Sequence, residues 1–236
     1  MTFDCLNWDK NSWLSSDEYF SGLNDLLIKK LNINHSTKIL DIGCGRGHLL
    51  NNLTDKINFK KMLNGVEPVK HEKNNLKKIK IFNMSIQEFL KQNSYKYDVI
   101  LMKQVLHLIP SKERKLFYYE IKKHFSLNGK LVIMQMNEKF HLPYFPVMKK
   151  KLIKSLSQHQ IIEEELNNIF DNNQKDEYLF KVDISKKDYL GMIQDKFISV
   201  LSNLSKEEIK EGCNYIHEQY SSNISFIDKL DFIIVN

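Results

Sequence analysis

Cysteine is scarce in this chain of 236 residues; Cys5, Cys44 and Cys213 are three, far apart and odd in number. That pattern excludes a disulfide framework and has no metal-ligand spacing, so no metal is expected. Long apolar runs are lacking too. No stretch approaches the length of a membrane span, and Met1-Thr2-Phe3-Asp4-Cys5 opens without a basic n-region or an apolar h-region. The expectation is a soluble, cytoplasmic chain with no membrane partner. Internal repeats and low-complexity linkers are missing, and 42% hydrophobic content suffices for one sizeable core. Acidic residues are outnumbered, 29 against 35 Lys and Arg, leaving a net charge of +6 that is compatible with nucleic acid. The lysines, however, are spread along the chain among abundant Asn and Ile. They read as a compositional bias, and no nucleic-acid partner is expected.

Glycine is also sparse, eight in all, yet three stand at alternate positions: Asp41-Ile42-Gly43-Cys44-Gly45-Arg46-Gly47. The apolar run Lys38-Ile39-Leu40 before them reads as a buried parallel strand, and Leu49-Leu50 after them opens a helix. Side chains in such a loop would keep the backbone away from a ligand, and at least one turn position calls for φ > 0. The free N–H groups of the following helix start suit a carboxylate or another anion. Neither the Gly-Lys-Ser/Thr ending of a P-loop nor a G-x-G-x-x-G spacing is present. About twenty residues further on, Met62-Leu63-Asn64-Gly65-Val66-Glu67 reads as a strand ending in an acid, the place where nucleotide-binding α/β folds hold ribose hydroxyls. Pro68 stops that strand.

Asp41-x-Gly43-x-Gly45-x-Gly47 with Glu67 resembles motif I and the ribose acid of the class I S-adenosylmethionine (SAM)-dependent methyltransferases. The resemblance implies a three-layer, Rossmann-like α/β fold with a mostly parallel seven-stranded sheet, the last strand antiparallel, and helical lid insertions. It implies SAM as cofactor, with Asp41, Gly43, Cys44, Gly45, Gly47, Glu67 and Pro68 around it. Cys44 is expected to be a small residue that fits the loop. Ile79-Lys80-Ile81-Phe82 reads as the next strand. The family places an adenine contact after it, usually an Asp; Met84 and Ser85 stand there instead, so backbone amides and the Met84 side chain are the expected contacts. Tyr97-Asp98-Val99-Ile100-Leu101-Met102 resembles the motif IV strand. It delivers Lys103 and Gln104 to the ligand edge, with His107 in the Leu-His pair that follows.

Along the rest of the chain, Ser15-Ser16-Asp17-Glu18 is a capping-box pattern for a first helix whose apolar face is Tyr19, Phe20, Leu23, Leu26, Leu27 and Leu31. Trp8 and Trp13 precede it; in methyltransferases of this size such a leader folds over the cofactor, which makes Trp13 and Tyr19 candidates to line the site. Ser111 through Phe125 is expected to be helical, covering the sheet with Leu116, Phe117, Tyr119, Glu120 and Ile121, and to end at Asn128-Gly129. Lys130 to Gln135 is the fifth strand, 149–170 a helix, Tyr178 to Val182 a strand, 186–220 helical, and Phe226 to Val235 the last strand or strand pair. His141 lies in an aromatic, proline-bounded loop. One domain is expected over residues 1–236: a leader over 1–35, a cofactor-binding core over 36–136, substrate-side insertions over 137–225 and a last strand over 226–236.

Methyl transfer from a sulfonium is an in-line displacement with an activated leaving group, so alignment and exclusion of water are the main tasks. A base is needed only if the acceptor must lose a proton, and His107 is the candidate. No Asp/Asn-Pro-Pro-Tyr/Phe signature of the amino-methylating nucleic-acid enzymes occurs. The expected activity is methylation of a small-molecule acceptor at O, S or N, with Trp13, Tyr19, Gln104 and His141 towards the acceptor. The alternatives are a SAM-binding partner or sensor without turnover, and an RNA methyltransferase. Oligomeric state is not legible.

Overall fold

The computed structural model describes residues 13–71, 76 and 78–236. Cys5, Trp8 and most of the Lys- and Asn-rich turn that follows Val69 lie outside the described residues. A 3-10 turn, Trp13–Ser15, leads into α1 (Asp17–Leu31); β1 (Ile39–Ile42), α2 (His48–Lys56), β2 (Leu63–Val66), β3 (Ile79–Phe82), α3 (Ile86–Gln92) and β4 (Tyr97–Lys103) follow. Another 3-10 turn, Leu106–Leu108, precedes α4 (Ser111–Lys122) and β5 (Phe125–Met136). The remainder is α5 (Pro146–Leu156), α6 (His159–Asn167), β6 (Asn173–Ser185), α7 (Lys186–Gln194), α8 (Lys206–Gln219) and β7 (Asn223–Val235).

Seven strands form one sheet in the order β3-β2-β1-β4-β5-β7-β6. The pairs β1/β2, β1/β4, β2/β3 and β4/β5 are parallel. In contrast β6 and β7 run antiparallel, since Lys186 N–H donates to the Ser222 carbonyl, the Ser225 hydroxyl to Asp183, and Asp171 N–H to the Asn236 carbonyl. β1 is buried at every residue, as a central parallel strand must be when both faces are covered.

The chain separates into two compact units. One comprises Phe20–Gln135, Ile161–Tyr178 and Leu230–Asn236. Its core packs Leu40, Ile42, Ile100 and Met102 of the central strands against Phe89, Phe117, Tyr118 and Ile121 of α3 and α4, with Leu166, Phe170 and Ile233. The other comprises Met1–Tyr19, Met136–Gln160 and Leu179–Lys229. Within it Trp13 meets Phe197 and Phe226 edge-on at 5.5 and 5.1 Å and stacks on Tyr189.

Several sequence expectations need correction. The first helix is capped by Ser16, whose hydroxyl accepts from Tyr19 N–H, and not by Ser15, which belongs to the 3-10 turn. The fourth helix ends at Lys122, and Asn128-Gly129 lies within β5 at an irregularity where Tyr97 pairs with Phe125 and Val99 with Lys130. A Cβ on Gly129 would stand 2.8 Å from the Tyr97 carbonyl, so the glycine serves close strand approach and not a helix stop. On α4, Leu116 and Tyr119 are exposed, while Tyr118 and Arg114 are buried. Arg114 is tolerated there because Glu165 accepts from its Nε and Nη2 at 2.8 and 3.0 Å. The 149–170 segment is two helices, α5 and α6, and 186–220 is α7 and α8 with a 3-10 turn between them.

Candidate functional site

Parallel pairing of β1, β2, β3 and β4 brings their C-terminal ends to one edge of the sheet, where open α/β folds bind ligands. Asp41 sits near the end of β1. The glycines that follow all adopt left-handed backbone, φ 70° at Gly43, 53° at Gly45 and 79° at Gly47. Gly43 is constrained twice over, because an added Cβ would also lie 2.2 Å from Val105 Cγ1. Gly47 is the N-cap of α2 and supplies no side-chain cap, so the first-turn amides of that helix keep donors for an anionic group. Cys44 is buried, with its sulfur over Gly65. Burial, then the charges of Asp41 and Glu67, push its thiol far up, which makes it a packing residue and no nucleophile.

Glu67, at the end of β2, is almost wholly buried. One carboxylate oxygen accepts from Gly45 N–H and the other from Val69 N–H, both at 3.0 Å. The acid therefore fastens the glycine loop to the β2 end, and each oxygen keeps a further lone pair for a ligand hydroxyl. Pro68 beside it is exposed. Asp41 is buried to 2% exposure, and its carboxyl is pushed up to about 7. Burial is the main cause; the Lys103 ammonium pulls the value down and the Glu67 carboxylate raises it. Lys103, the last residue of β4, also lies over the Phe20 ring at 5.8 Å, and Phe20 stacks on His48 at 6.2 Å. In the sequence Phe20 belongs simply to the apolar face of the first helix. Its place under Lys103 is a tertiary juxtaposition of α1 with β4 that no local pattern carries.

Gln104 follows with φ 54°, a left-handed conformation uncommon outside glycine, and its N–H donates to Met134 O at 2.7 Å. This turns the chain sharply off the strand end into the 3-10 turn that holds His107, which is exposed. After β3, Met84 N–H donates to Phe82 O, and Ser85 forms a complete capping box with Glu88 at the start of α3. Both amides are thus engaged, contrary to the expectation that they were open to a ligand; the Met84 side chain is the remaining group at that strand end.

The structure thus gathers Asp41, Gly43, Cys44, Gly45, Gly47, Glu67, Met84, Lys103, Gln104 and His107 on the strand ends and turns of one unit. Trp13, Tyr19 and His141 belong to the other. Trp13 and Tyr19 are buried, Tyr19 against Phe180 at 5.2 Å, and His141 is exposed in the loop before α5. Among the described residues no group of three metal-ligating side chains occurs, and no helix is long and apolar enough to cross a membrane.

Comparison with known proteins places this arrangement. A family described as a methyltransferase domain matches residues 33–221. No curated protein matches the chain. Among solved structures, one assigned as a methyltransferase from an antibiotic biosynthesis pathway of Anabaena variabilis aligns with a TM-score of 0.63 at 14% identity, covering 89% of this chain and 95% of that one. A SAM-dependent methyltransferase from Archaeoglobus fulgidus aligns at 0.54 and 15% identity, over 94% and 95%. The plantazolicin methyltransferase BpumL, in complex with a monoazolic desmethylPZN analog and SAH, aligns at 0.51 and 16% identity, over 98% and 88%. At these identities the likeness is one of fold: a mostly parallel seven-stranded sheet with flanking helices.

Proposed function

We propose, from the premise that this chain belongs to the methyltransferase domain family and is a SAM-dependent enzyme of the Rossmann-like methyltransferase fold, that it methylates a small-molecule acceptor at O, S or N. SAM supplies a methyl group on a sulfonium, already activated for displacement. The observation that carries the reading is the charged, glycine-lined edge at β1, β2 and β4. The left-handed loop and the uncapped start of α2 fit a carboxylate. Asp41 fits an ammonium group, and Glu67 fits vicinal hydroxyls. Lys103 balances Asp41 and supplies a cation for a carboxylate. Cys44 and Pro68 shape the loop, and Met84 packs beside an adenine, while Ser85 holds the start of α3.

Alignment of the acceptor falls to the turn after β4. Gln104 offers an amide, and His107 orients the acceptor nucleophile or takes its proton. The small-molecule reading is supported by the desmethylPZN analog bound to BpumL and the antibiotic pathway of the Anabaena protein. The chain is taken as one functional domain acting in the cytoplasm.

Incubation with methyl-labelled SAM and fractionated cell extract tests this. Label in a small-molecule fraction is the expected outcome. Label in RNA would replace the acceptor class, and bound SAM without any turnover would favour a sensor.

A further inference from the structure

Helix α5, Pro146-Val147-Met148-Lys149-Lys150-Lys151-Leu152-Ile153-Lys154-Ser155-Leu156, carries four lysines and no acid. Met148, Leu152 and Leu156 face the interior. Its opposite face leaves Val147 39% and Ile153 54% exposed among Lys149, Lys150 and Lys154. Tyr144 and Tyr215, the latter 39% exposed, join Pro146, Lys149, Lys150 and Ile153 in lining a shallow groove on the same unit. Lys149 lies over the Tyr144 ring at 4.9 Å. α8 brings acids as well as Tyr215 to this unit, Glu211 and Glu218 standing one turn on either side of that tyrosine, while α5 itself carries only positive charge.

We infer that this face attaches to an anionic lipid bilayer surface. An interfacial helix needs apolar side chains that enter the headgroup boundary and lysines whose stems lie along it while their charges reach lipid phosphates. Tyrosines at the same level suit that boundary because one end of the ring is apolar and the other wet. Charge complementarity selects an anionic surface. The exposed aliphatic residues favour lipid over nucleic acid, since Val147 and Ile153 offer nothing to the phosphates that dominate nucleic-acid binding. Attachment of this kind lies on a membrane and does not span it. The absence of a spanning run, which led the sequence reading to expect no membrane partner, leaves it open. The inference is independent of the methyl acceptor.

Co-sedimentation of the full chain with phosphatidylcholine vesicles, with and without phosphatidylglycerol, tests it. Binding is expected only to the anionic vesicles and should fall as salt rises. Each lysine lost should weaken binding roughly fivefold, so Lys149→Glu/Lys150→Glu/Lys154→Glu together should abolish it. Ile153→Ser should weaken it at unchanged charge, whereas Lys112→Glu/Lys115→Glu on exposed α4 positions should not exceed about a twofold loss by general charge alone. Thermal melting checks each variant's fold, and Lys150→Glu alone gives a graded reading if the triple variant does not fold. Equal binding to neutral vesicles, full retention by the triple variant, equal loss in the α4 variant, or single-stranded RNA bound through these lysines with no vesicle binding would each overturn the inference.

Discussion

Asp41→Asn should make the ligand-free protein more stable at alkaline pH while impairing its use of SAM. Folding raises the Asp41 carboxyl from 3.8 to about 7, chiefly through burial. Between those two values the folded chain holds a proton that the unfolded chain has released. Stability therefore falls as pH rises through this window and levels off above it. At about 1.4 kcal/mol per pH unit, the ionised Asp41 costs on the order of 4 kcal/mol at pH 8, and nothing below the unfolded value. Asn fills the same space without the charge and should recover most of that cost. For a domain of this size 1 kcal/mol moves Tm by about 2–4 °C, so a gain of roughly 8–16 °C is expected at pH 8, shrinking towards zero near pH 4. Thermal melts of both proteins across that range measure it. The same carboxylate should lose its proton as the ammonium group of the cofactor binds, so titration calorimetry near pH 7 in buffers of different ionisation heat should register proton release with SAM and with SAH, which keeps that ammonium, and none in Asp41→Asn. A Tm difference that does not change with pH, or an Asn variant less stable at pH 8, would refute the reasoning.

Four further outcomes are expected. Gly43→Ala combines a left-handed φ with a clash on Val105 and should cost roughly 2 kcal/mol or more in chemical denaturation, with Val105→Ala restoring only the steric part. Glu67→Gln turns one acceptor oxygen into a donor facing the Gly45 or Val69 amide; SAM affinity by calorimetry should drop by roughly 1.5–3 kcal/mol, and unchanged affinity would remove Glu67 from the site. Lys103→Met should raise the KM for SAM if the lysine serves the cofactor, and the acceptor's KM alone if it serves the acceptor. His107→Asn should lower kcat and remove the acidic limb of the pH profile if His107 is a base; full turnover with the same profile would leave proximity as the whole mechanism.

The parts of the fold legible in the sequence are those fixed by local chemistry. The β1 strand, its glycine loop and the start of α2 announce themselves because left-handed backbone and buried parallel strands restrict residue choice within a few positions. Glu67 was legible by its distance from the loop, though its grip on Gly45 N–H was not, since that bond joins positions 22 apart. What stayed hidden depended on tertiary partners. Asn128-Gly129 looks like a helix stop, yet the register shift against Tyr97 makes it part of β5. Arg114 reads as a solvent residue until Glu165 of α6 is placed beside it. Ser85 is the exception, since its Ser-x-x-Glu spacing to Glu88 is a local capping-box signal that was there to be read.

The strand order carries a consequence for how the chain assembles during synthesis. β6 touches the sheet only through β7, which leaves the ribosome later and slots between β5 and β6. Until then β6 is a long strand with two open edges, beside α7 and α8 that are already made. The first four strands, joined by short parallel crossovers, can settle around β1 well before. Folding should thus show an early phase from the glycine-loop half and a slow, long-range closing step. Removing 223–236 should leave the β6 strand unpaired and prone to pairing with another copy.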